Sequence, residues 1–206
     1  FAGSRWSPAL PLNAVFDGSK RYAKVCVIGI FAMVTLLAGS ADTLDACAGL
    51  IPSDLRAVIT KTHPGYRLPR QTDQDAFNVD HRIKEGGIGC LGVARGDFDG
   101  NRRPDLALLL AEGNTDRSIV VAALRIESGW RVELIEKFDS PVARLYVDSV
   151  DPGTYESRFY GESPPEPNER KKIVSRTQGV AMGALESTAT YYFRSKGRWL
   201  FVWISD

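Results

Sequence analysis

Residues 96–110 read GDFDGNRRPDLALLL, an acidic stretch that runs directly into a purely apolar one. Carboxylates hold water and leucines shed it, so the chain must pass from solvent to core within a few residues. Strand-like segments flank the stretch, CLGVARGDF before it and DLALLLAE after it, and the acidic residues therefore occupy the loop between two strands.

The polar residues of that loop alternate. Asp97, Asp99, Asn101 and Asp105 stand at positions 1, 3, 5 and 9, and alternate side chains in a tight loop can turn inward together. Hard cations such as Ca²⁺ take about six to eight oxygen ligands, several of them carboxylates. Arg103, at position 7, offers its backbone carbonyl to such a set, and Gly100 permits unusual dihedrals in the turn. The spacing is not that of an EF-hand, which needs Gly and Glu where this chain has Arg102 and Leu108. An acidic turn can also exist without an ion, because Asp and Asn bond to nearby backbone. Arg102 and Arg103 then supply the balancing charge, each exposed pair contributing about 0–1 kcal/mol.

Over these fifteen or so residues GDFDGNRRPDLALL resembles the calcium loop of integrin-type FG-GAP or VCBS repeats. The resemblance implies ligand roles for Asp97, Asp99, Asn101 and Asp105 and a strand after them. Those families build propellers from many copies. One copy is found here, with Arg102 where a Gly is usual, so no propeller is implied. The remainder looks like exported bacterial proteins with a single such loop, a resemblance that implies no activity.

Upstream, the basic residues Arg5, Lys20, Arg21 and Lys24 precede VCVIGIFAMVTLLAG, and no charge occurs from Val25 to Ala41. That apolar run is a little shorter than the roughly 20 residues that span a bilayer. Positive residues, an apolar stretch and then small residues form the pattern of an export signal. The expectation is an upstream extension at 1–24, a signal peptide or membrane anchor at 25–41, and one domain at 50–206. Export predicts a periplasmic or secreted protein. The alternative is an envelope lipoprotein attached at Cys47, which follows Leu44-Asp45-Ala46. Export also permits a disulfide between Cys47 and Cys90.

Four of the 26 basic and one of the 25 acidic residues lie in 1–41, leaving 22 basic and 24 acidic residues in the body. A nearly neutral body offers no general field for nucleic acid or anionic lipid. Within it, IPSDLRAVITKTHPG predicts a helix capped by Ser53, and TDQDAFNVDHRIKEGG a second, capped by Thr72 or Asp73. From Cys90 onward the pattern is of strands, interrupted by the Pro-rich loop GESPPEPNERKK. The expected class is α+β, two N-terminal helices followed by a mainly antiparallel sheet in a single domain. In the last segment Trp199, Phe201 and Trp203 alternate with Leu200, Val202 and Ile204, so both faces are apolar and the strand should be covered.

Catalytic signals are sparse. His63 and His81 belong to no metal-ligand spacing, and no nucleophile elbow, P-loop or dinucleotide fingerprint occurs. The glycines of GGIGCLG precede a strand instead of opening a helix, and Cys90 has no local base. The sequence therefore predicts an exported, non-enzymatic binding or structural domain with one Ca²⁺ loop (Asp97, Asp99, Asn101, Arg103, Asp105), a monomer with a protein or carbohydrate partner. The alternative is an exported hydrolase-type enzyme whose site is assembled from distant residues.

Overall fold

Asp105–Glu112 and Ser118–Ile126 are buried on both faces along almost their whole length, so each needs a layer above and a layer below. The computed structural model describes residues 45–113, 115–158, 160–161, 164–184 and 189–204, all within a compact unit spanning 42–206. The expected extension at 1–24 and signal or anchor at 25–41 lie outside the described residues. Among those described, no helix is long and apolar enough to cross a membrane.

The helices are α1 (Ala46–Leu50), α2 (Ser53–Thr62) and α3 (Ala76–Lys84). The strands are β1 (Tyr66–Arg67), β2 (Val93–Gly96), β3 (Asp105–Glu112), β4 (Ser118–Ile126), β5 (Gly129–Phe138), β6 (Leu145–Val150), β7 (Gly153–Glu156), β8 (Lys172–Ser175), β9 (Gly179–Ala184), β10 (Ala189–Ser195) and β11 (Arg198–Ile204). One antiparallel sheet runs β1-β3-β4-β5, with β2 also paired to β3. A second runs β11-β10-β9-β6, and β7 and β8 form a separate pair.

Strand alternation sorts the core. Leu106, Leu108 and Leu110, with Ile119, Val121 and Ala123 opposite, pack under Leu55 and Ile59 of α2. Ala107 and Leu109, with Val120 and Ala122 opposite, face the other way onto Val147, Val180, Met182, Tyr192, Trp199 and Phe201 of the second sheet. The back of that second sheet, including Val180's neighbour Ala181, Phe193 and Val202, is covered by Ile173 and Tyr155 of the β7–β8 pair. The layers are thus helix, sheet, sheet and hairpin. As the terminal alternation requires, Trp199 and Phe201 face the first sheet while Leu200, Val202 and Ile204 face the hairpin.

The α+β expectation is corrected. About 20% of the described chain is helical against 45% in strands, which makes this a mostly antiparallel β protein with three small helices. Two N-terminal helices do not form a layer. α2 has 10 residues and packs on the sheet, but α3 buries only Val79 and leaves Phe77 and Ile83 exposed. Ala76, Val79 and Ile83 share a face, but only Val79 is buried against the rest of the fold and Phe77 lies off that face, so little of α3 is held by packing. The predicted caps also shift. Ser53 is the first helical residue of α2 and makes no cap bond. Thr72 and Asp73 form a 3₁₀ turn, and α3 is capped by Asp75, whose carboxylate accepts from Asn78 N at 3.1 Å.

Cys47 of α1 is bonded to Cys90, just before β2, with Cα atoms 5.1 Å apart. Lipidation at Cys47 and this bond exclude each other, since one sulfur cannot serve both. The bond closes a loop over a separation of 43 residues and ties the helical layer to the sheet's entry strand. Loop-closure entropy places its contribution at about 4 kcal/mol. Denaturant unfolding with and without dithiothreitol should show a loss of that order, roughly 2–5 kcal/mol. A loss below about 1 kcal/mol would mean that the reduced chain keeps the same loop closed by other contacts.

Candidate metal centre

The acidic loop is the turn of the β2–β3 hairpin, whose register closes with Gly96 opposite Asp105. Two neighbours anchor it. Phe98 is fully buried between the sheets, edge-on to Trp199 with ring centroids 6.5 Å apart. Asp105 is equally inaccessible, at 0% exposure. Its Oδ2 accepts from Phe98 N at 2.8 Å and its Oδ1 from Arg125 N at 2.7 Å. Each of these oxygens keeps a further lone pair.

Between the anchors, the chain folds onto its own carboxylates. Gly100 N and Arg102 N donate to the two oxygens of Asp97, at 2.9 and 3.0 Å, and Asn101 N donates to Asp99 Oδ1 at 3.1 Å. Gly100 has φ +79° and Arg102 φ 64°. Glycine accepts that region freely. A Cβ at 100 would in addition approach Thr177 Cγ2 to 2.8 Å. Arginine does not accept it freely, and the left-handed conformation costs about 1 kcal/mol at Arg102.

The sequence spacing thus brings Asp97, Asp99 and Asp105 together. Each offers an oxygen, and the three oxygens lie within 4.8 Å of one another, a group that could hold a metal ion. Asn101 is used differently. Its Oδ1 accepts from Arg103 N at 2.7 Å, and its Nδ2 donates to Arg125 O at 2.8 Å, bracing the loop against β4. The Arg103 side chain turns outward to Glu127 at 3.3 Å, so it does not neutralise the aspartates. Among the described residues, the one cation paired with these carboxylates is Arg131 of β5, whose Nη2 stands 4.0 Å from Asp99 Oδ2.

Two distant residues escape sequence reasoning. Gln178 Oε1 accepts from Asp97 N at 2.9 Å, across 81 positions. Glu133 of β5 receives Arg131 at 3.2 Å, both arms of Arg194 at 2.9 and 3.0 Å, and Trp199 Nε1 at 3.1 Å. Arg131 is thereby shared between Glu133 and Asp99. No local signal marks either residue, because the pairing of β5 and the approach of the β8–β9 turn set them in place.

Burial is the main cause that pushes the Asp105 carboxyl up to about 6, and the charges of Asp99 and Asp97 add to it. Bonds from Arg125 N and Phe98 N oppose the rise. Neither histidine joins the cluster. His63 ends α2, edge-on to Tyr66, and His81 pairs with Glu85 at 3.4 Å on the surface. Cys90, bonded to Cys47, has no thiol to act as a nucleophile. Compared with known protein families, curated proteins and solved structures, the chain matches none.

An acid whose folded pKa is raised binds an extra proton on folding, so its contribution to stability falls as pH rises from its unfolded value of 3.8 to about 6. Above that range the ionised form carries a penalty of about 3 kcal/mol. In metal-free protein, carbon-13 carboxyl NMR should show one aspartate titrating near pH 6 and disappearing in Asp105→Asn. Titration of every aspartate below about 4.5 would contradict the burial of Asp105. Arg102→Gly should stabilise the domain by about 1 kcal/mol in urea unfolding, by removing the left-handed strain. A destabilised variant would show that the Arg102 side chain contributes more than its backbone costs.

Proposed function

We propose that the chain is an exported, non-enzymatic binding or structural domain whose Asp97–Asp105 loop is a calcium staple. The observation that carries the reading is the convergence of the three carboxylates within 4.8 Å, with Arg131, at 4.0 Å from Asp99, their one ion-pair partner among the described residues. Oxygens bound to one Ca²⁺ at about 2.3–2.6 Å are at most about 5 Å apart, so the spacing suits a shared ion. All three donors are hard oxygens, which favours Ca²⁺ or Mg²⁺ over softer metals. An irregular loop suits the flexible coordination of Ca²⁺ better than the strict octahedron of Mg²⁺. The alternating acidic spacing, similar to an FG-GAP or VCBS loop, supports the same reading.

Stapling, and not catalysis, fits the surroundings. Both oxygens of Asp105 are already committed to backbone N–H groups that join β3 to the loop and to β4. An ion would complete that brace. Export is supported by the Cys47–Cys90 disulfide, a bond that persists in oxidising compartments, and by the signal pattern at 25–41. Extracellular Ca²⁺ is abundant enough to fill a site with a dissociation constant near about 10⁻⁴–10⁻³ M.

With Ca²⁺ at a hundred times its dissociation constant, stability should rise by about 2.7 kcal/mol, or several degrees in melting temperature. Asp97→Ala should abolish that shift. An equal shift in the variant would reject these ligands, and no shift in the wild-type protein would reject the staple.

A further inference from the structure

Beside the acidic loop, between α2 and the β4–β5 turn, lies an open groove of about 620 Å³. Its size falls in the usual ligand-site range of about 300–1,000 Å³. Three arginines from three different elements converge on it: Arg95 of β2, Arg103 of the acidic loop and Arg125 of β4. Leu106 and Ile126 supply apolar wall, and Trp130 of β5 closes one side.

The arginines are not equally engaged. Arg125 Nη1 reaches Asp54 Oδ2 at 2.8 Å, and Arg103 reaches Glu127 at 3.3 Å, both as exposed pairs of the kind that hold weakly. Arg95 is exposed and makes no ion pair among the described residues. The Arg125 guanidinium lies 4.7 Å over the Trp130 ring. That contact fixes the plane of its donor fork, and it also covers an aromatic face on which a sugar ring would stack. Planar forks match carboxylates in a bidentate fashion.

We propose that this groove binds an acidic peptide segment, its carboxylates on Arg95, Arg103 and Arg125 and its apolar side chains on Leu106 and Ile126. The acidic loop holds the groove in shape. Asp105 Oδ1 accepts from Arg125 N at 2.7 Å and Asn101 Nδ2 donates to Arg125 O at 2.8 Å, so loop residues fix both backbone groups of that arginine. Arg103 belongs to the loop itself. Peptide binding is therefore tightened by Ca²⁺. This coupling rests on the calcium reading, whereas the groove's charge and shape do not.

The test uses the full chain and fluorescence anisotropy of a short fluorescein-labelled peptide of alternating Glu and Leu, with a Gln–Leu peptide as control and oligogalacturonate as a non-peptide polyanion. Saturable binding of the Glu–Leu peptide alone is expected, weakened about tenfold by Arg95→Ala, the loss of one charge-assisted contact. The melting temperature of that variant should be unchanged, since Arg95 is exposed and makes no ion pair among the described residues. Equal binding of the Gln–Leu peptide, indifference to Arg95→Ala, or saturable binding of oligogalacturonate without the peptide overturns the proposal. A chelator that weakens peptide binding supports the coupling. A melting shift with Ca²⁺ and no peptide binding removes the groove and leaves the staple. Peptide binding with no response to Ca²⁺ removes the coupling and leaves the groove, and the staple falls only if Ca²⁺ also gives no melting shift.

Discussion

β3 and β4 are apolar on both faces, and everything else in the described fold follows from covering them. One face, built from Leu106, Leu108, Leu110 and their partners on β4, needs a lid, and α2 with Leu55 and Ile59 is that lid. A helix of 10 residues is too short to be stable alone. The disulfide from α1 to the segment before β2 limits how far this layer can drift from the sheet. The opposite face needs a second sheet, whose own back is apolar again at Phe193 and Val202 and needs the β7–β8 pair. Burial thus propagates outward layer by layer until a polar surface is reached.

The strands were legible in the sequence for the same reason. Segments such as SIVVAALRI and RWLFVWI are short, continuous apolar runs rich in β-branched or aromatic residues and bounded by turn signals, the pattern of strands buried on both faces. What pairs with what was not legible, because register across distant strands leaves no local trace. In the helical part, DAFNVDHRIK has an Asp75 cap and an apolar face at Ala76, Val79 and Ile83, but only Val79 is buried, so the local pattern makes α3 while packing gives it little to do. β7 carries no local strand signal beyond Thr154 and Tyr155, and its place depends on a distant contact, Tyr155 stacked on Phe193 with centroids 5.0 Å apart.

At the site, side chains whose role depends on loop spacing could be read, and those whose role depends on tertiary approach could not. Asp97, Asp99 and Asp105 converge because alternate residues of a hairpin turn share a side. Asn101 has the right spacing too, and its amide divides its work, Oδ1 accepting from Arg103 N within the loop while Nδ2 donates to a carbonyl on β4. In the metal-free alternative Arg102 and Arg103 balance the aspartates. They fail to do so for a geometric reason: Arg102 has a left-handed backbone fixed by its bond to Asp97, and Arg103 is drawn to Glu127.

That failure leaves the cluster's charge to a proton, to Arg131, to the more distant field of Arg194 or to a metal ion. Arg131 stands at the limit of ion-pair distance and is held closer by Glu133, so its charge is divided. A proton on Asp105 removes one of the three charges, and above about pH 6 it is lost while the oxygens remain buried. Removing Asp105 is no remedy, since its two oxygens satisfy the Phe98 and Arg125 amides. Buried amides left unpaired cost about 1–3 kcal/mol each. The carboxylate is therefore kept for its hydrogen bonds whatever its charge costs. A divalent cation, which the cluster could hold, would remove the penalty at neutral pH without breaking either bond, because it would use lone pairs the amides leave free.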